Sequence, residues 1–219
     1  MKDAVILKKG KEKPILNKHH WIFSGAVQSA PIFEPGSVLP VQDFDGRLLG
    51  YAYFNPRCSI VGRMLSFGQG SYEEAILKNI DRAILMRRAL FGVGTNAYRL
   101  INSEGDGIPG LVVDKYADVL VFQISTLGIA RMKDFFINAI VERLKPHAIY
   151  EKSNSHSRGE EGLKDEEGVL YDAIEQGMAG FSYKPTQIIE NGLKFFVGFA
   201  HTQKTGFFLD QREMRALVR

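Results

Sequence analysis

Turn-forming residues interrupt the chain so often between Val5 and Phe67 that this stretch has room for short strands and none for a long helix. Glu34-Pro35-Gly36, Asp45-Gly46 and Asn55-Pro56 bracket the runs Val38 to Val41, Leu48 to Phe54 and Ser59 to Leu65. Glycine supplies the positive φ of tight turns and proline presets φ at the first turn position, so clusters of this kind end strands rather than extend them. The N-terminal apolar run, Ala4 to Leu7, has four residues. That is too short for a signal-peptide core or a membrane span, and it predicts a first strand. A small β-domain over residues 1–70 is the expected result.

The periodicity then changes. Ser71 with Glu74 three residues later makes a capping box. Leu77, Ile80, Ile84 and Leu90 follow near helical spacing until Gly92, which predicts a linker helix from Tyr72 to about Phe91 within residues 71–95. Tyr98 to Ile101 and Leu111 to Ile124 read as strands around the loop Gly105-Asp106-Gly107-Ile108-Pro109-Gly110, whose glycines and proline point to a tight turn that packs domains together. A helix is expected from about Gly128 to Leu144, with Ile129, Met132, Phe136, Ile140 and Leu144 on one face and Pro146 as its stop. Ile149 to Lys152 returns as a strand, giving a strand–helix–strand unit in a central α/β domain over residues 96–183. Ser153 to Gly168 reads as a polar, charged loop. In residues 184–219, Asn191-Gly192 between Gln187 to Glu190 and Leu193 to Val197 is a strong hairpin signal, since both turn residues tolerate positive φ. A last helix is expected from near Asp210 and still running at Arg219. The fold class is α+β.

At 219 residues the chain should hold more than one core. Its 45% hydrophobic and 24% charged content excludes a disordered or fibrous chain. The single cysteine, Cys58, cannot form an internal disulfide and fits a reducing, cytoplasmic setting. No Cys and His cluster has zinc-ligand spacing, and His147, His156 and His201 form no metal-like pattern. The net charge of +3 is mild, but its distribution is uneven. Residues 1–21 hold six lysines against Asp3 and Glu12, so the N-terminal end could face phosphates. Trp21-Ile22-Phe23 beside Gly25 reads as a buried cluster of the β-domain, with base stacking by Trp21 as the alternative.

Three segments together resemble the PUA-containing class I methyltransferases that make 5-methylcytosine in large-subunit ribosomal RNA. The first is His20-Trp21-Ile22-Phe23-Ser24-Gly25-Ala26 with Leu49-Gly50-Tyr51-Ala52 and Tyr53-Phe54-Asn55-Pro56. The second is Tyr98-Arg99-Leu100-Ile101-Asn102 with Glu104 to Asp114, and the third is Glu190-Asn191-Gly192-Leu193 with Gln203 to Arg212. The resemblance covers the chain from end to end and corresponds to about the front two-thirds of such an enzyme. It implies an N-terminal PUA-like β-barrel, the central α/β domain, the hairpin, and the start of a Rossmann-like methyltransferase domain whose core is missing here.

The resemblance also implies S-adenosylmethionine as cofactor, with Thr205, Phe208, Asp210, Gln211 and Arg212 nearest to it. The alternative for this run is a plain helix start, capped by Asp210. C5 of cytosine is a poor nucleophile, so a thiolate must first add to the adjacent ring carbon. The family resemblance puts that cysteine far downstream, and alternation puts Cys58 on one face of a strand with Ile60, Gly62 and Met64, so no catalytic residue is assigned and the chain alone should be inactive. Ribosomal RNA is the implied partner, with Lys18, His20, Arg57 and Arg63 as candidate RNA contacts. No membrane contact is implied. Uncovered apolar residues near the C-terminus would fold back on the hairpin, pair with a second copy as a homodimer, or fray. A PUA-containing RNA-binding protein without catalysis is the alternative reading of the whole.

Overall fold

The structure, a computed structural model, describes residues 3–173, 185–199 and 202–218. The interrupted N-terminal runs pair into a single six-stranded sheet. Its strands are β1 (Val5–Leu7), β2 (Trp21–Phe23), β3 (Val27–Ser29), β4 (Val38–Gln42), β5 (Leu48–Phe54) and β6 (Ile60–Phe67), in the order β2-β6-β5-β4-β1-β3. One helical turn, α1 (Lys13–Leu16), lies between β1 and β2. The edge strands β2 and β3 are consecutive in the chain and joined by a 3₁₀ turn at Ser24–Ala26. That turn carries the chain onward instead of folding it into a ladder, so the expected barrel is a curled sheet whose two edges are not paired to each other. Its core is apolar throughout, with Val5, Leu7, Ile22, Val41, Phe54 and Met64 buried together.

Helix α2 (Tyr72–Leu90) begins at Ser71, whose hydroxyl accepts from the backbone N–H groups of Glu73 and Glu74. It buries Ile76, Ile80, Ala83 and Ile84, a helical stripe facing the core. The central sheet is made of β7 (Ala97–Asn102), β8 (Leu111–Tyr116), β9 (Val119–Ile124), β10 (Ala148–Ser153) and β11 (Glu166–Asp172), in the order β11-β10-β9-β8-β7. The pair β9–β10 is parallel and the other pairs are antiparallel. A parallel pair needs a crossover, and α3 (Leu127–Arg131) and α4 (Lys133–Leu144) supply it.

Several expectations are corrected in detail. The single helix over 128–144 is two, because Met132 leaves the helical region (φ −96°, ψ 12°). The run Leu111 to Ile124 is two strands turning at Ala117, which has φ 56°. The glycine-rich stretch after β7 opens with a 3₁₀ turn at Ser103–Asp106. The polar segment 153–168 is not a solvated loop: it contains α5 (Ser157–Glu161) and runs into β11, with Arg158 and Glu161 buried.

The hairpin β12 (Thr186–Glu190) and β13 (Leu193–Val197) turns at Asn191 (φ 52°) and Gly192 (φ 81°), both in the left-handed region the tight turn requires. The last helix is shorter than expected. A 3₁₀ turn at Leu209–Gln211 leads into α6 (Arg212–Leu217), which Val218 caps, while Arg219 lies outside the described residues. The expected boundary between residues 183 and 184 also falls outside them.

Side chains alternate across the central sheet, so its two faces carry different cores. Leu120 and Phe122 face the helices α2, α3 and α4 together with Ile80, Ile129, Phe136 and Ile140. Val119 and Val121 face the hairpin side with Tyr116, Ile188, Val197 and Phe199. Tyr53 and Leu65, which belong to the N-terminal sheet, are buried in the first of these clusters.

Candidate functional site

The hairpin is stitched to the chain just before β7: Ile189 N–H donates to Asn96 Oδ1 at 2.7 Å, and Asn191 N–H to Thr95 Oγ1 at 3.0 Å. The segment after β13 is thereby brought over β7 and β8. Together with the C-terminal end of α2 it encloses a cavity of about 630 Å³. At its floor, Thr205 is buried and donates its hydroxyl to Asp114 Oδ2 at 2.6 Å, while the Tyr116 hydroxyl lies 2.7 Å away. Asp114 also accepts from Arg99 Nε at 2.9 Å and Nη2 at 3.2 Å. Burial, and next the Asp114 carboxylate, push the Tyr116 phenol well above its usual range, so it stays protonated and can donate.

The walls are aromatic and cationic. Phe91 stacks on Tyr98 with centroids 4.8 Å apart, and the Arg212 guanidinium lies 4.2 Å from the Phe91 centroid. Arg212 Nη2 donates to the Ala97 carbonyl at 2.8 Å. Arg215 makes a forked pair with the buried Glu190 carboxylate at 2.7 and 2.8 Å, and its guanidinium covers the Phe207 ring. The tail therefore folds back on the hairpin through charge, while Met214 and Leu217 on α6 remain exposed. At the rim Asp210 pairs with Lys204 at 2.7 Å, and that hydrogen bond holds the exposed carboxyl below its usual range.

Of the five residues assigned to the cofactor, Thr205, Asp210 and Arg212 line this cavity. Phe208 and Gln211 do not: both are exposed, and Phe208 lies under the Lys204 ammonium. The reading of single residues missed Arg99, Asp114, Phe91 and Phe207, which also line it. Arg99 and Asp114 are direct cross-strand partners in the β7–β8 ladder, so pairing the two predicted strands in register is the signal that finds them.

The candidate RNA contacts separate into two groups. Lys18 is exposed, with Nζ 4.9 Å from the Phe67 ring, and His20 packs edge-on against the same ring while its Nδ1 lies 2.7 Å from the Met64 carbonyl. Arg57 is exposed in the turn before β6. Arg63 instead points inward and pairs with Glu161 at 2.6 Å. Trp21 corrects the buried-cluster expectation. Only Ile22 of Trp21-Ile22-Phe23 is buried, because β2 is an edge strand whose alternate side chains point out, and the Trp21 indole N–H donates to Glu104 Oε1 at 2.8 Å.

Buried polar groups fasten the N-terminal sheet to the central layer. Glu161 accepts from Arg63, from Asn55 Nδ2 at 2.8 Å and from the Leu127 N–H at 3.2 Å. Within the central layer, Arg158 braces the segment that carries Glu161 by donating to the carbonyls of Lys164 and Ile124. The Tyr53 hydroxyl lies 3.0 Å from both the Pro109 carbonyl and the Thr126 hydroxyl.

Cys58 sits in the turn before β6, not on the strand, with Sγ 3.5 Å from the Glu160 carbonyl. Burial, with the Glu161 carboxylate adding to it, pushes its thiol up to about 11, so thiolate is scarce at neutral pH. Iodoacetamide at pH 7.5 is expected to label Cys58 slowly in the folded chain and quickly in denaturant. Equal rates in the two states, followed by mass spectrometry, would contradict this burial. Among the described residues no group of three or more His, Cys, Asp or Glu side chains could hold a metal ion, and no helix is long and apolar enough to cross a membrane.

Residues 5–67 match the family of PUA-like domains. Over 98% of its length the chain is 35% identical to ribosomal RNA large subunit methyltransferase I of Vibrio cholerae, and over 97% it is 36% identical to the protein of that name from Shewanella denitrificans. It spans 53% of each relative, about half rather than the expected two-thirds. Two solved structures share its fold. One is a candidate SAM-dependent methyltransferase from Streptococcus mutans, with a TM-score of 0.76 at 22% identity, covering 99% of this chain and 54% of that one. The other is a candidate methyltransferase complexed with SAH, with a TM-score of 0.77 at 22% identity, covering 97% of this chain and 52% of that one. The chain thus carries a PUA-like domain at residues 5–67, within an α+β fold that it shares with these methyltransferase structures.

Proposed function

We propose that this chain is part of an S-adenosylmethionine-dependent methyltransferase that modifies C5 of a cytosine in large-subunit ribosomal RNA, in the cytoplasm. The observation that carries the reading is the match along 98% of the chain to a relative named as a methyltransferase of the ribosomal RNA large subunit, while the choice of cytosine C5 follows the family resemblance. The share of the work proposed for this chain is to hold RNA through its PUA-like domain and to form one side of the cofactor site.

The cavity beside residues 204–212 fits one side of such a cofactor. It offers aromatic surface from Phe91, Tyr98 and Phe207, and an exposed carboxylate, Asp210, suited to ribose hydroxyls. When bound, the cofactor supplies an electrophilic methyl group. Arg212 is held against Phe91 and the Ala97 carbonyl, which keeps that wall in shape. Thr205 acts by position, since its hydroxyl is engaged with Asp114. Lys18, His20 and Arg57 are the proposed RNA contacts, whereas Arg63 serves by fastening Glu161.

The chemistry at C5 needs a thiolate, and the only thiol of the chain is buried with its proton held. The 219-residue polypeptide by itself is therefore expected to transfer no methyl group to ribosomal RNA from labelled cofactor. In cells, disrupting the gene should expose one cytosine of large-subunit ribosomal RNA to bisulfite conversion. An unchanged bisulfite map would overturn the cytosine-5 reading.

A further inference from the structure

We infer that Trp21 forms a platform on which one unpaired RNA base stacks, with the Phe23 ring standing nearly perpendicular beside it and the angle of the indole set by Glu104; the inference rests on the RNA-binding reading above. The two rings project from the same side of the edge strand β2, 38% and 49% exposed, with Ile22 between them turned into the core. Their centroids are 6.3 Å apart at an interplanar angle of 82°, and the His19 ring lies 5.7 Å from Trp21. The indole N–H is already satisfied by Glu104. What Trp21 still offers is a flat apolar face with no polar demand of its own, which suits the face of a base.

The charges beside this strand favour nucleic acid over an apolar protein segment. Exposed Lys18 stands just before β2. Lys8 has its ammonium fixed on the Gly25 carbonyl at 3.0 Å, just after it. Exposed Arg57 lies in the turn that leads to Ile60, the ladder partner of Phe23. A three-residue strand spans only about 10 Å. A short single strand can therefore lay a base on the indole and bring phosphates toward the cations at both ends. The acid at the platform, Glu104, is engaged by the Trp21 N–H and the Ser103 hydroxyl. Glu104 belongs to the turn after β7, so the orientation of the indole is fixed by the central domain rather than by the PUA-like domain alone. A base inside a duplex has no free face to offer, which makes the ligand an unpaired one.

Trp21 is the only tryptophan of the chain, so its emission reports on the platform directly. The 219-residue chain would be titrated with a fluorescein-labelled, unstructured 12-nucleotide RNA of mixed A and U, and with a duplex of the same length. Binding is read by anisotropy and stacking by tryptophan emission. The single strand is expected to bind and to quench Trp21, and the duplex to leave the emission unchanged. Trp21→Ala should weaken single-strand binding by about 10- to 100-fold and Phe23→Ala by less, while Trp21→Phe retains most of it. Glu104→Ala should reduce the quenching. Single-strand binding with unchanged emission, and with affinity indifferent to both alanine substitutions, would overturn the platform and leave the RNA reading intact. Absence of any RNA binding by the unmodified chain would overturn both.

Discussion

Replacing Glu161 with alanine is expected to lower the unfolding free energy by about 3–5 kcal/mol, because it removes one partner of a buried ion pair and leaves the other uncompensated. Glu161 is 2% exposed and Arg63, its partner, is 14% exposed at the side chain. Truncation would also orphan the Leu127 N–H and remove the side-chain acceptor of Asn55. Glu161→Gln keeps the shape and one acceptor oxygen but sets an NH2 donor against either Arg63 or the Asn55 and Leu127 N–H groups, so its loss should be smaller than that of alanine, which also opens a cavity, yet still measurable. Denaturant unfolding followed by circular dichroism measures both. A Glu161→Ala midpoint equal to that of the unmodified chain would show that Arg63 finds water or another acceptor, and the pair would lose the role given to it here.

That site is also where the sequence was least readable. Period and punctuation predict elements well when a segment buries one apolar face, as in α2, and when a turn demands particular φ values, as at Asn191-Gly192. Residues 153–168 have neither property. Six acids and three bases between positions 151 and 167 look like a solvated stretch, and nothing local says that Glu161 will meet Arg63 from a strand 98 residues earlier. Trp21 failed for a related reason. Its hydrophobicity argued for burial, but burial on an edge strand is decided by which neighbours arrive, and here the arriving group was the carboxylate of Glu104. In the candidate site, the run from Thr205 to Arg212 was visible as a run. Which of its side chains face inward was not, since a 3₁₀ turn at Leu209–Gln211 sets that and the sequence carries no strong signal for it.

Gly128→Ala should be nearly as damaging, at about 3 kcal/mol, the upper part of the usual range for overpacking a core. A Cβ at Gly128 would fall 2.2 Å from Cγ and 2.3 Å from Cδ2 of Tyr53. An exposed ring would swing away, but Tyr53 is fully buried and its hydroxyl is held between Pro109 and Thr126. The helix α3 would have to move off the N-terminal sheet instead. The decisive comparison is the double variant with Tyr53→Leu. If the clash is with this ring, the smaller side chain relieves it and the double variant loses less than the two single losses added together. Strict additivity in chemical denaturation would mean that the damage lies elsewhere.

Tyr53 and Leu65 come from the N-terminal sheet yet sit in the same buried cluster as Ile80, Phe122 and Phe136. The PUA-like domain is therefore not a bead on a string. Cut free at residue 70, it would carry a bare apolar face and an unpartnered Arg63, and the central layer would lose part of its floor. Heat should take the two apart in one cooperative transition rather than in sequence. If that domain holds RNA as proposed, the RNA would share one packed frame with the central layer and with the cavity wall anchored on β7.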